Sequence, residues 1–439
     1  MRTATVVAIV VVVVILGGVA VYSFGLSGGE QLRLQERWVS DTARDLNANH
    51  HAPAAGRVNG TGMVYAPVSG RGDTPNCALY GLSAANGTSK WSYQIPTQNC
   101  AIHSVADPTL ADYDSDGVRE VLAATTEQAI IAFNPLTGEE ELRVNLTDYG
   151  YTRPVVTDLR GDASKEIVVV DVKGTVLVVR PNGTNVWSAR LESYTWGQPG
   201  VADFDGDGKK EVVIGISDGN LTMFEGDGSV SWRRQDAFGE SITWMATGQA
   251  DDDPGTEVVV ATTGGTVALI DGNAGEIQWQ KDFGNFAAVH AFGDGDGDGE
   301  PEIYAVARGG KLRSLDAKTG TVEWTTTLTS ANVQMMPPPA LGNVDDDEAK
   351  ELVAVTNDGI VSVIDPRDGD VLDTYKREVS IFSHPQLADT DGDGVQEIYV
   401  MYGDGRVVAL EAAGNREAKQ TTETTKSSPS VDHTGDEFS

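Results

Sequence analysis

Basic residues are scarce in this chain. Its 439 residues hold 32 Lys and Arg against 65 Asp and Glu, a formal charge of −33 at pH 7. So negative a surface repels nucleic-acid phosphates and anionic headgroups and attracts cations, so nucleic acid is not an expected partner. Cysteine is nearly absent, with Cys77 and Cys100 alone and 23 positions apart. There is no zinc-type ligand spacing, no phosphate-cradling glycine loop and no nucleophile–base motif, which leaves no recognisable catalytic constellation. Aromatic residues make up 7% of the chain, and no long amphipathic helical period appears. Helix-bundle classes are thereby set aside.

Only one long hydrophobic run is present. Residues 3–29 carry no charge, and Val6 to Leu26 is dominated by Val, Ile and Ala. Twenty-one residues at about 1.5 Å each span roughly 30 Å, enough for one transmembrane helix. Arg2 precedes the run, which places the N-terminus in the cytoplasm and the rest outside a cell membrane crossed once. A cleaved signal peptide with a small-residue site near Ala20 is the alternative. Outside the cell a Cys77–Cys100 disulfide would contribute about 3 kcal/mol in the chain-entropy model. Five glycosylation sequons, beginning at Asn59, Asn86, Asn145, Asn182 and Asn220, suit an exported glycoprotein. Residues 415–439 are polar without apolar period and read as a disordered tail. The acidic excess also resembles the composition of proteins from salt-loving archaea, which accounts for scattered carboxylates but not for a fixed spacing.

A fixed spacing is what the rest of the chain displays. Acidic loops of the form Asp203-Phe204-Asp205-Gly206-Asp207-Gly208-Lys209-Lys210-Glu211 begin at Asp112, Asp158, Asp203, Gln249, Asp294, Asn343 and Asp389, at steps of 46, 45, 46, 45, 49 and 46 residues. That period is the size of one four-stranded propeller blade. A short strand leads into each loop, and a β-branched run such as Val258-Val259-Val260-Ala261 follows it. A glycine turn then opens a third strand, and a second turn opens a fourth that often carries Trp. An eighth unit without an acidic loop begins at Pro53, with Met63–Ala66, Cys77–Leu82 and Lys90–Tyr93 as its later strands. The last unit lacks a fourth strand, while Trp38 has no unit of its own. The fourth-strand series then reads Trp38, Trp91, Leu142, Trp187, Trp232, Trp279, Trp324 and Asp373. The segment 31–43 is therefore expected to complete the last blade. The expected fold is all-β: an eight-bladed propeller over 30–414, closed by an N-terminal strand and preceded by a helical anchor over 1–29.

With the units aligned, the acidic loops resemble the FG-GAP/VCBS repeat, also found in integrin α-subunit heads. The other half of each unit resembles the PQQ-like repeat of quinoproteins and their non-catalytic relatives, as in Gly310 to Trp324 with Asp316, Gly320 and Trp324 in place. The first resemblance implies structural Ca²⁺ in four loops: Asp112, Asp114, Asp116 and Glu120; Asp203, Asp205, Asp207 and Glu211; Asp294, Asp296, Asp298 and Glu302; Asp389, Asp391, Asp393 and Glu397. Asn343, Asp345, Asp347 and Glu351 form a fifth, although Glu348 replaces a turn glycine. Three side-chain oxygens at alternate positions suit a hard cation. Gln249 weakens the Asp251/Asp253/Glu257 loop, and Arg160 brings a positive charge into the Asp158/Asp162/Glu166 loop. PQQ is not expected, because the adjacent cysteine pair common near that cofactor is missing.

Trp196 and Trp244 precede first strands, and His103, His290 and His384 occupy similar pre-strand positions. Their order along the chain leaves open whether they converge, and blade-junction packing is the simpler role for the tryptophans. The functional expectation is a binding or assembly scaffold for other proteins or surface glycans. The alternatives are a PQQ-dependent oxidoreductase and a cell-surface adhesin.

Overall fold

A computed structural model describes residues 10–15, 18–23, 32–235, 237–345 and 347–412. Residues Arg33–Ala413 form one compact unit of eight four-stranded antiparallel sheets. Seven blades are continuous in sequence, from Ala54–Gln94 to Ala340–Lys376. The eighth combines Gln386–Ala388, Glu397–Met401 and Val407–Ala412 with Leu34–Val39, which adds as the outermost strand beside Val407–Ala412. The ring closes as the Trp38 series requires. Among the described residues no helix is long and apolar enough to cross a membrane. The described parts of the expected anchor, Val10–Ile15 and Gly18–Ser23, are two antiparallel strands. The remainder of that segment and the expected polar tail, 415–439, lie outside the described residues.

Burial follows strand position within each blade. First strands are short, three residues in five blades. Second strands such as Glu120–Thr125 and Glu257–Thr262 are buried along their whole length, which is why their sequences are continuous β-branched runs and do not alternate. Fourth strands alternate exposed and half-buried residues. The apolar cores lie between neighbouring blades: Met63, Tyr65 and Leu79 of blade 1 pack with Val121, Ala123 and Ile131 of blade 2. No blade buries its faces alone.

Each fourth-strand Trp joins its blade to the next. In all eight blades the pairing of third and fourth strands skips the residue just before the Trp position, a β-bulge that redirects the following side chain. The indole N–H then donates to a carbonyl of the next blade: Trp38 to Ala84, Trp91 to Pro135, Trp187 to Gly226, Trp232 to Gly272, Trp279 to Ala317 and Trp324 to Pro366, at 2.6–3.0 Å. The ring lies on a turn glycine of that blade. At Gly320, φ is +65° and an added Cβ would stand 2.6 Å from Trp279 Cδ2. Blade 7 has Asp373 at this position, and the next blade offers no such turn because its outer strand comes from the N-terminal side. The carboxylate instead accepts the backbone N–H of Leu34 at 2.8 Å. Asp373 thus anchors the first residue of the closing strand.

Gly320→Ala meets both a left-handed backbone, costing about 1 kcal/mol, and the indole, costing about 1–3 kcal/mol more. Gly183→Ala, with φ +79° beside Leu142 and its nearest contact at 3.4 Å, meets the backbone cost alone. Thermal unfolding of the two variants is expected to show the larger loss for Gly320→Ala.

Candidate functional site

The turn between first and second strands lies at one end of every blade, and the connection from one blade to the next lies at the other. The acidic loops occupy the first set. Their last residue has one constant task, since its carboxylate accepts the N–H of the second loop residue. This holds for Glu120 with Tyr113, Glu166 with Leu159, Glu211 with Phe204, Glu257 with Ala250, Glu302 with Gly295, Glu351 with Val344 and Glu397 with Thr390, at 2.6–3.3 Å. The loops are also tied into a belt. Lys165 Nζ, Thr256 N, Lys350 Nζ and Gln396 N each donate to the carbonyl of the first loop residue one blade back, at Asp112, Asp203, Asp294 and Asn343.

The expected cation ligands do converge. Oxygens of Asp294, Asp296, Asp298 and Glu302 lie within 4.8 Å of one another, as do those of Asp112/Asp114/Glu120, Asp203/Asp205/Glu211 and Asp345/Asp347/Glu351. The Gln249 loop gathers Asp251, Asp253 and Glu257 equally well, so its weakness is confined to the first position. There the Gln249 amide donates to the Asp253 and Gly255 carbonyls. The two remaining aspartates of these loops turn toward their own backbone: Asp116 accepts Val118 N at 2.7 Å, and Asp207 accepts Lys209 N at 2.8 Å while also pairing with Lys209 Nζ. In blade 8 Asp389 accepts Gly394 N and Asp393 accepts Val395 N. Arg37 enters that loop, with Nη1 2.8 Å from Glu397 and 3.4 Å from Asp391. A guanidinium therefore supplies part of the neutralising charge in blade 8. Arg160 Nη2 lies 3.5 Å from Asp162, which sets its positive charge inside that loop.

Two observations fit Ca²⁺ at the other corners. Asp203 Oδ1 and Asn343 Oδ1 are buried first-position oxygens with no hydrogen-bond partner. Burial, with the loop aspartates adding to it, pushes Glu120, Glu211, Glu257, Glu302 and Glu351 up to about 7. A divalent cation would relieve that repulsion.

The opposite end brings together residues far apart in sequence. All five described histidines meet near the propeller axis. His50 and His51 come from the segment after the closing strand, His103 from the connection between blades 1 and 2, His290 from blade 6 and His384 from the approach to blade 8. Asp107 stands among them, buried, accepting Ala52 N at 3.0 Å and paired with His51 Nδ1 at 2.7 Å. Its other oxygen lies 3.7 Å from His384 Nε2. Burial opposes the Asp107 charge, but the contacts from His384 and His51 prevail and hold its carboxyl below the ordinary range. His103 Nδ1 stands 3.2 Å from His51 Nε2, and His290 stacks on His384 with centroids 4.3 Å apart. Burial, reinforced by the neighbouring imidazoles, lowers His50 to about 4 and His103 to about 2. The cluster borders a cavity of about 100 Å³ walled by Tyr151, Trp196, Gln198, Thr243 and Trp244. Trp196 and Trp244 thus line the axial site, beyond the packing role expected of them.

His50, His51 and Asp107 carry no repeat signature. The segment that bears the two histidines precedes the first unit, and only the closed ring brings it to the axis. Cys77 and Cys100 form a disulfide, and Ser104, bonded to Cys77 Sγ and to the Ala101 backbone, fixes the loop holding His103 at φ +67°. The bridge therefore secures an axial loop and supplies no adjacent-cysteine feature for a quinone.

These blades form an eight-bladed β-propeller whose repeats are similar to PQQ-like ones. A model of the family described as outer membrane protein assembly factor BamB matches residues 254–438, and one described as lambda-carrageenase beta-propeller domain matches residues 166–260. No curated protein matches the sequence. Among solved structures, the V. cholerae biofilm matrix protein Bap1 is similar with TM-score 0.66 at 13% identity, covering 88% of this chain and 92% of that one. BamB from Moraxella catarrhalis gives 0.59 at 14%, covering 86% and 98%. The quinohemoprotein alcohol dehydrogenase ADHIIG from Pseudomonas putida HK5 gives 0.61 at 14%, covering 91% and 78%. At these identities the likeness shows the fold alone.

Two outcomes follow for solution measurements. Each corner occupied at 100 times its Kd adds about 2.7 kcal/mol to stability. Ca²⁺ should thus raise Tm at fixed high salt and chelator lower it, an effect reduced by Asp294→Ala and unaltered by Asp158→Ala. The second concerns His290, whose pKa burial, His384 and Arg153 lower well below the ordinary value. A histidine depressed in the folded state contributes its full stability above about pH 6.5, its unfolded value. That contribution is lost as pH falls below 6.5, because the unfolded chain takes up a proton that the folded site refuses. His290→Asn should flatten the fall in Tm between pH 6.5 and 5.

Proposed function

We propose that this chain is a non-catalytic binding and assembly module, a membrane-anchored extracytoplasmic propeller that docks other proteins and whose acidic corners hold structural Ca²⁺. The observation carrying this reading is a row of exposed apolar side chains along the rim. Val230, Ile277, Val322 and Val371 are 39–44% exposed, and each opens the fourth strand of its blade, in blades 4 to 7. Each pairs with an apolar residue at or next to the end of the third strand, Phe224, Ile270, Leu315 and Ile364, just beyond the bulge, so the four recur at one register. β-Branched residues repeated on the outer edge of consecutive blades form a surface that a partner would cover. A groove beside Ile277, lined by Leu221, Arg234, Ile270 and Gly275, has a volume of about 400 Å³. The net charge of −33 favours a partner with basic residues around its apolar contacts.

The corner loops support the same reading from the other side. Their constant glutamate holds the turn of its own blade, including the loop that carries Arg160, so their conserved geometry serves the scaffold. The name of the BamB family, an assembly factor, points to protein partners for its own members. The uncharged N-terminal run supplies the cell-membrane anchor, with the propeller outside. A surface glycan is the other class of ligand for the same rim.

The test is affinity capture from native membranes in high salt, comparing the parent with a variant carrying Ser at Val230, Ile277, Val322 and Val371. These side chains are exposed, so the variant should fold with unchanged Tm and lose the captured protein. Equal capture by both, or capture of glycan alone, sinks the protein-docking reading. Addition of PQQ with Ca²⁺ should yield no dye reduction, and turnover there would establish the oxidoreductase instead.

A further inference from the structure

We propose that His50, His51 and His103 form a binding site for a divalent transition metal of the zinc class at the propeller axis, with a fourth coordination position open to the adjoining cavity. Asp107 orients the set. Its carboxylate accepts a hydrogen bond from His51 Nδ1 at 2.7 Å and is itself fixed by Ala52 N. An ionised carboxylate only accepts, so the His51 proton resides on Nδ1 and Nε2 presents a lone pair. A carboxylate on the far nitrogen is the usual support of a metal-binding histidine. His51 Nε2 then faces His103 Nδ1 at 3.2 Å. Two nitrogens each 2.0–2.1 Å from a tetrahedral zinc ion stand about 3.3 Å apart, so this pair already has the spacing of one edge of such a site.

A third nitrogen comes from His50. Its Nδ1 is buried without a hydrogen-bond partner, and its ring centroid lies 4.9 Å from that of His103. The His50 ring packs between those of His103 and Phe382, with centroids 4.9 and 4.4 Å away, and a third metal bond would satisfy its buried nitrogen. Two further features hold the set in place. His103 sits at φ +67°, a conformation a non-glycine residue keeps only when its surroundings impose it. Its loop is held by Ser104 and the Cys77–Cys100 bridge.

Three histidines with an open fourth position is the pattern of exchangeable zinc sites. Here that position gives on the cavity of about 100 Å³ edged by Tyr151, Trp196 and Trp244, with room for water or one small oxygen donor. Imidazole selects Zn²⁺, Cu²⁺, Ni²⁺ or Fe²⁺, and carboxylate corners select Ca²⁺. The two ends of the molecule would thus take different ions. This site stands independently of the rim-docking reading.

The competing arrangement is a plain N–H···N bond from His103 to His51, which needs no ion. Co²⁺ distinguishes the two, because its visible spectrum reports donor type and coordination number. The full-length chain is stripped with chelator, returned to excess Ca²⁺ to fill the acidic corners, and titrated with Co²⁺. One equivalent should bind with the intense absorption of a four-coordinate nitrogen site and be displaced by Zn²⁺. His50→Gln and His103→Gln should each lower affinity at least 10-fold, and Asp107→Asn should lower it about 10- to 100-fold as an outer-shell change. His290→Asn, outside the triad, should bind as the parent does. No Co²⁺ uptake by the parent, a pale six-coordinate spectrum, or undiminished binding in both His→Gln variants would overturn the proposal. The parent titration decides even if a variant fails to fold.

Discussion

The rest of the structure depends on the contact between each outer-strand tryptophan and the turn glycine of the following blade. A four-stranded sheet buried on both faces cannot satisfy itself, because its apolar surface needs a neighbour on each side. The indole meets that need with one directional bond and a large flat area over a position where any Cβ would collide. One bulge placed just before every Trp position turns the side chain toward the seam. Bond, bulge and glycine recur together, so the angle between blades is set once and repeated around the ring.

Closure tests this rule at its weakest point. The eighth blade cannot present a turn to its predecessor, since its outer strand arrives from the other end of the chain. A tryptophan at position 373 would have nothing to cover. Asp373 instead captures a backbone N–H of the incoming strand, and Trp38 on that strand restores the usual seam with blade 1. The same strand supplies Arg37, the bulge residue, to the blade 8 corner. Two consecutive residues thus serve ring closure and the electrostatics of an acidic loop.

Most of the fold was legible in the sequence because a propeller repeats its constraints at fixed intervals. The acidic corners set the period, the Trp series counted the blades, and the surplus Trp38 disclosed the closing strand. The expected ligands of the corners were legible for the same reason, being consecutive in the chain. Sequence pattern left finer points open. The three carboxylates of the Gln249 loop converge despite the glutamine, and Arg37 enters the blade 8 loop from 352 positions away. The axial cluster was legible only in part. His103, Trp196 and His384 precede first strands as expected, whereas Trp244 and His290 lie inside theirs, and convergence on the axis is a property of the closed ring that leaves no local pattern. His50, His51 and Asp107 lie outside any repeated motif.

The two ends of the blades therefore answer to different chemistry. At the corners, carboxylates are held by local backbone turns, each blade independent of the next except for one bond, so a corner can lose its ligand set and keep its shape. The Arg160 loop does this. At the axis, side chains from the N-terminal segment and from several blades and their connections pack against one another. A change there propagates to the ring, while a change at one corner stays local. Variation is cheap at the corners and constrained at the axis, which makes the axis, with its imidazoles, single carboxylate and aromatic wall, the place where one arrangement of side chains can be held rigidly by eight blades.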